Sequence, residues 1–212
     1  MPMNPGEAQV DELLMQRMRR GDAVAFAALA TRYWNAVHRI GWNMLPDPSG
    51  AGEMTEATFL LALRSAEACP SDVPFRTWLY RLALSQSLGR LQPVPNSVTR
   101  SLAAFLPRFD AHGRLASAGR DWSAPGEDAF ERRDLEERIR ETLQRLDALD
   151  RAAFVLREVE QLSVEEAAAV LGISPESIRQ RTHRASLILT GSLGHLFESS
   201  TQEPRSSSRH AG

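Results

Sequence analysis

Wound as a helix, residues 175–189 place Ser177, Arg179, Gln180, Arg181 and Arg184 on a face away from Ile178, Ala185 and Leu189. The outward face is cationic and rich in hydrogen-bond donors. Arginine forks match phosphate oxygens and the acceptor edge of guanine, and Gln180 carries the donor and acceptor that adenine presents in a major groove. Glu176 and His183 belong to the same candidate DNA-binding set, His183 as a contact to phosphate. This chemistry is recognition and makes or breaks no bonds. The spacing alone also suits an ordinary helical hairpin with a solvated arginine-rich face.

The flanking residues say how such a face would be held. Ser163 with Glu166 three residues later forms a capping box that starts one helix. Gly172 stands where that helix must stop, with positive φ, and Ile173 can tuck between the two helices. Ser174 then caps a second helix with Pro175 in its first turn, where a missing N–H costs nothing. The pattern predicts a helix-turn-helix whose second helix enters a major groove.

Along the rest of the chain the apolar spacing is helical. Gly21 ends one helix and Asp22 caps the next, which carries Phe26, Leu29, Tyr33, Val37, Ile40 and Met44 on one face. L-P-D-P-S-G at 45–50 stops it, a third helix runs over 51–68, and C-P-S-D-V-P at 69–74 precedes a fourth opening with F-R-T-W-L-Y-R-L-A. Residues 92–130 are rich in Pro, Ser and Gly and read as a linker; F-L-P-R-F-D-A-H-G-R-L at 105–115 and Trp122 are apolar enough to dock on a domain. Asp110, His112 and Arg114 are explained by a turn around Gly113. Helices resume to about Leu146 and over 148–159, before the hairpin. The expected fold is all-α: two small helical domains, 7–91 and 131–190, joined by a flexible linker, with a disordered tail over 191–212.

The 212 residues carry a formal net charge of −2, so DNA affinity has to come from local patches. All 25 cationic side chains are arginine. One cysteine, Cys69, excludes an intrachain disulfide, and the five histidines lack zinc-ligand spacing. The amino terminus has no signal-peptide core and no apolar run reaches membrane-spanning length, so a soluble, cytoplasmic protein without membrane insertion is expected. There is no G-x-S-x-G, P-loop or dinucleotide-binding glycine pattern, and neither catalysis, metal nor cofactor is expected.

Taken in order, G-D-A-V-A-F-A-A-L at 21–29 with Tyr33, D-P at 47–48, F-L-x-A at 59–62, F-R-T-W-L-Y-R-L-A at 75–83 and the whole of 146–185 resemble the extracytoplasmic-function sigma factors of bacterial RNA polymerase, in the sigma-70 family. The resemblance implies a first domain that grips core polymerase and captures the strand-opening element of a promoter, and a second that reads the duplex farther upstream. It implies strand contacts at Arg76, Arg81 and Arg90, and a polymerase grip on the third helix at Glu53, Glu56 and Phe59. An anti-sigma protein is implied as a further partner. Trp78 shares core spacing with Phe75, Leu79 and Leu82 and is expected to pack. The family's acidic run on the third helix is reduced here to Glu53 and Glu56, with Leu63 in place of a Trp, and Thr182 replaces a usual Leu. A two-domain helix-turn-helix regulator with no contact to polymerase is the competing reading.

Overall fold

The computed structural model describes residues 5–70, 72–91 and 129–199, and within them every regular element is helical. Helix α1 spans Pro5–Arg19 and ends through Gly21 at φ +83°. Asp22 caps α2, Ala23–Met44, its carboxylate accepting from the N–H groups of Val24 at 2.9 Å and Ala25 at 3.2 Å. Of the predicted stripe, Leu29, Tyr33, Val37, Ile40 and Met44 are buried, while Phe26 is half-buried and packs against the core. Helix α3 is shorter than expected. It covers Gly50–Arg64 and gives way to a tight turn at Ala66–Ala68, where the Ser65 hydroxyl donates to the Leu61 carbonyl at 2.6 Å and competes with the helical ladder.

Helix α4, Phe75–Arg90, begins directly after Pro74. All six residues from Phe75 to Tyr80 are buried, Arg76 and Thr77 included. A helix buried around its whole girth needs neighbours on every side. Helices α2 and α3 cover one side, and the other is covered from the second half of the chain.

That half opens with α5, Ala129–Gln144, followed by α6, Ala148–Phe154, capped by Asp147. The end of α6 widens into a π-helical turn over Val155–Val159, closed by the Glu160 N–H donating to the Val155 carbonyl at 2.9 Å. Gln161 at φ +54° then turns the chain into α7, Val164–Leu171. Helix α8 spans Pro175–Ser199, nine residues past the boundary expected at 190, so the stretch 191–199 expected as tail is helical. The expected linker up to residue 128, with its apolar stretch at 105–115, Trp122 and the Asp110, His112 and Arg114 group, lies outside the described residues, as does 200–212.

Within the described residues, those up to Leu91 and those from Leu143 to Ala185 make one compact unit. One apolar core runs through it, from Met15, Val37 and Leu79 to Leu156, Leu162 and Ile178. The described residues of the second unit are 129–142 and 186–199, with Leu189 buried. Two helical segments are present as the sequence suggests; their packing into a shared core was not legible in it.

Candidate nucleic-acid interface

The hairpin of α7 and α8 is built as its sequence dictates. Ser163 Oγ accepts from the Glu166 N–H at 3.1 Å while the Glu166 carboxylate accepts from the Ser163 N–H at 2.8 Å, closing the capping box. Gly172 takes φ +66° and its N–H returns to the Ala168 carbonyl at 2.8 Å. Ser174 Oγ accepts from the Ser177 N–H at 3.2 Å at the start of α8. Ile178 and Ala185 are fully buried, which pins the rotation of α8 about its axis.

The polar residues of α8 then divide by environment. Arg179, Gln180 and His183 are exposed, and Ser177 is partly so. Arg179 and Gln180 each reach Glu176 at 3.3 Å, and Arg179 also lies 4.0 Å from Glu165, so their held geometry is weak. Partly buried Arg181 and Arg184, whose side chain is half exposed, donate to the two oxygens of buried Asp150 at 2.7 Å and 3.2 Å. Sequence reasoning missed Asp150, since a carboxylate 31 residues from its partner leaves no local pattern.

The candidate arginines of α4 also have partners. Arg76, only 8% exposed, donates to Glu166, and Arg81 gives Nε and Nη2 to the Ala169 carbonyl at 2.9 Å and 2.6 Å. Arg90 lies 3.4 Å from the Gly50 carbonyl and 3.7 Å from Glu53. Burial pushes the Glu166 carboxyl up, but the Ser163 N–H and the Arg76 guanidinium outweigh it and hold the group below its ordinary 4.5. Glu53 and Glu56 stand exposed on α3. Phe59 does not accompany them: it is buried, stacked on Trp34 with centroids 5.7 Å apart, and supports α3 from beneath. Trp78 is packed in the core, as expected.

Two further polar nodes join the halves, and neither was foreseen. Glu160, with its side chain 2% exposed, accepts both Nε and Nη2 of Arg39 at 2.9 Å and the Tyr80 hydroxyl at 3.3 Å. The Glu160 hydrogen bonds raise the Arg39 pKa, while burial and the same carboxylate push the Tyr80 phenol up. Gln144 Nε2 donates to the Asn43 and Leu45 carbonyls at 3.1 Å and 3.0 Å, and Arg151 donates to the Met44 carbonyl at 2.6 Å. These are carbonyls at the end of α2, which a helix leaves without internal partners. Burial lowers the Arg151 pKa to about 10. Among the described residues no cluster of His, Cys, Asp and Glu is arranged to hold a metal ion, and no helix is long and apolar enough to cross a membrane.

Comparison with known proteins agrees with this architecture. The family model for Sigma-70, region 4 matches residues 136–189, covering the helix-turn-helix and the helices before it. RNA polymerase sigma-H factor of Pseudomonas aeruginosa is 31% identical over 180 residues, covering 82% of this chain and 89% of that protein. ECF RNA polymerase sigma-E factor of Escherichia coli is 28% identical over 183 residues, covering 84% of this chain and 92% of that protein. Among solved structures, the sigma factor RpoE in complex with the anti-sigma factor NepR from Bartonella quintana aligns with a TM-score of 0.56 at 18% identity, over 79% of this chain and 96% of that one, a likeness of fold. A stand-alone regulator would share only its DNA-reading hairpin with such proteins, whereas the likeness here runs through both helical segments. The chain therefore belongs to the extracytoplasmic-function sigma factors of RNA polymerase, the sigma-70 family members that direct transcription initiation.

Proposed function

We propose a division of labour between the two helical segments, taken as residues 7–91 and 131–190 with 92–130 as the joining linker. Helix α8 reads duplex promoter DNA, and helices α1–α4 supply the grip on core RNA polymerase and the contacts to the opened strand. The observation that carries this reading is the presentation of Ser177, Arg179, Gln180 and His183 on a helix whose opposite face is locked by fully buried Ile178 and Ala185. A helix fixed in rotation offers the same donors to every groove it enters, which base readout requires. Arg76, Arg81 and Arg90 are the candidates for phosphates of the opened strand. Glu53 and Glu56 are the candidates for polymerase, with Phe59 holding α3 beneath them.

The protein supplies binding energy and no bond chemistry, and works in the cytoplasm beside the polymerase. An anti-sigma protein is a further proposed partner, supported by the solved sigma factor of like fold captured with one. The polymerase arm is tested by co-elution with core polymerase on gel filtration. Wild type is expected to co-elute and Glu53→Arg with Glu56→Arg to run free; retention of the double variant at wild-type strength moves the grip off α3.

A further inference from the structure

Resting on the reading of α8 as the helix that meets duplex DNA, we infer that Glu176 is a specificity residue: its carboxylate selects a cytosine in the upstream promoter element and rejects the other bases there.

The placement follows from the buried face. Successive residues of a helix turn by about 100°, so with Ile178 and Ala185 fully buried, the side chains on the opposite side are Glu176, Gln180 and His183, all three exposed. The arginines stand on the shoulders of that stripe, Arg179 to one side and Arg181 and Arg184 to the other. In a major groove the middle of such a face meets base edges, and its shoulders meet the two phosphate ridges. The amino-terminal residues of a recognition helix are the ones that touch bases, and Glu176 is the second residue of α8.

A carboxylate in that position is selective because it only accepts. Every phosphate repels it, as do the acceptor edges of guanine and thymine, and adenine sets its N7 acceptor beside its N6 amino group. Cytosine offers an amino donor at N4 with no acceptor beside it on the same base. The start of α8 does not rely on Glu176, since Ser174 Oγ closes it by accepting from the Ser177 N–H at 3.2 Å. The Glu176 oxygens accept from the Arg179 guanidinium and the Gln180 amide at 3.3 Å each. Both bonds are long and exposed, so the carboxylate exchanges them for a cytosine amino group at little cost. Gln180 is released in the same exchange and turns its amide to an adenine. Four residues of helix rise about 6 Å, close to two base-pair steps of about 3.4 Å, which sets the cytosine and the adenine within about two pairs of each other.

The test is run-off transcription by core polymerase with the full chain, over templates randomised across the upstream duplex and each carrying a transcribed barcode. Sequencing the transcripts gives the enrichment of each base at each position. Wild type is expected to enrich cytosine about tenfold at one position. Glu176→Ala is expected to flatten that position and leave the others as they are, and Glu176→Gln to admit adenine there. A Glu176→Ala profile that matches wild type at every position overturns the inference. So does a Glu176-dependent position that favours any base but cytosine. An equal loss across all positions overturns it as well, because it assigns the carboxylate to general affinity. Gln180→Ala separates this failure from that of the underlying reading. Where Gln180→Ala relaxes a position and Glu176→Ala relaxes none, α8 still reads duplex and the role of Glu176 alone falls; where neither changes the profile, the reading of α8 falls with it.

Discussion

Arg179, Arg181 and Arg184 sit within two turns of one helix and meet different fates. Buried Asp150 accepts from Arg181 and from Arg184, the latter with its side chain still half exposed, while Arg179 pairs only with exposed carboxylates at the surface. Arg179→Ala is therefore expected to weaken binding to upstream promoter duplex by roughly 1–3 kcal/mol if it holds a base edge, and to leave the unfolding midpoint in place. Mobility-shift titrations and a urea melt on the same preparation check both halves of that statement. Asp150→Ala is expected to do the reverse first. It leaves two cations without their shared acceptor and lowers stability by about 1–3 kcal/mol, with DNA affinity reduced only as α8 loosens. An Asp150→Ala protein as stable as wild type contradicts the structural role of the pairs that Arg181 and Arg184 make with Asp150.

At the level of elements, what could be read from the chain is what depends on neighbours a few residues apart. The Ser163–Glu166 capping box, the left-handed Gly172, the Asp22 cap and the α2 stripe each rest on local chemistry, and each is present. Phe59, the π-helical turn and Glu160 were not legible because their environments are made by residues distant in sequence. The same holds for Gly41, where an added Cβ would lie 2.3 Å from the Met54 tip and 3.3 Å from the Ala51 Cα, so α3 approaches α2 closely only because no side chain intervenes. Gly172 has open space around it and is constrained by φ alone. Gly172→Ala is accordingly expected to cost about 1–2 kcal/mol, with no steric addition, and Gly172→Asn less. Chemical denaturation separates the two substitutions; equal stability of Ala and Gly here contradicts the strain argument.

For the whole molecule, the consequence of joining the halves through charged pairs is a dependence on pH. Glu166 titrates below its ordinary 4.5 when folded, so the stability it lends is present above that value and is lost as pH falls through the lowered one. The stability margin read by urea unfolding is expected to narrow as pH falls below about 4.5, and to narrow less in Glu166→Gln. An acid response that is indifferent to that substitution assigns it to other groups. The central claim is that α8 chooses where polymerase begins, and run-off transcription with core polymerase over a library of upstream duplex sequences tests it most directly. Wild type is expected to start at discrete sites with a defined upstream preference, and Arg179→Ala with Gln180→Ala to relax that preference while the start sites persist. Identical preferences for the two proteins, or no initiation by the wild type from any sequence in the library, contradict the account.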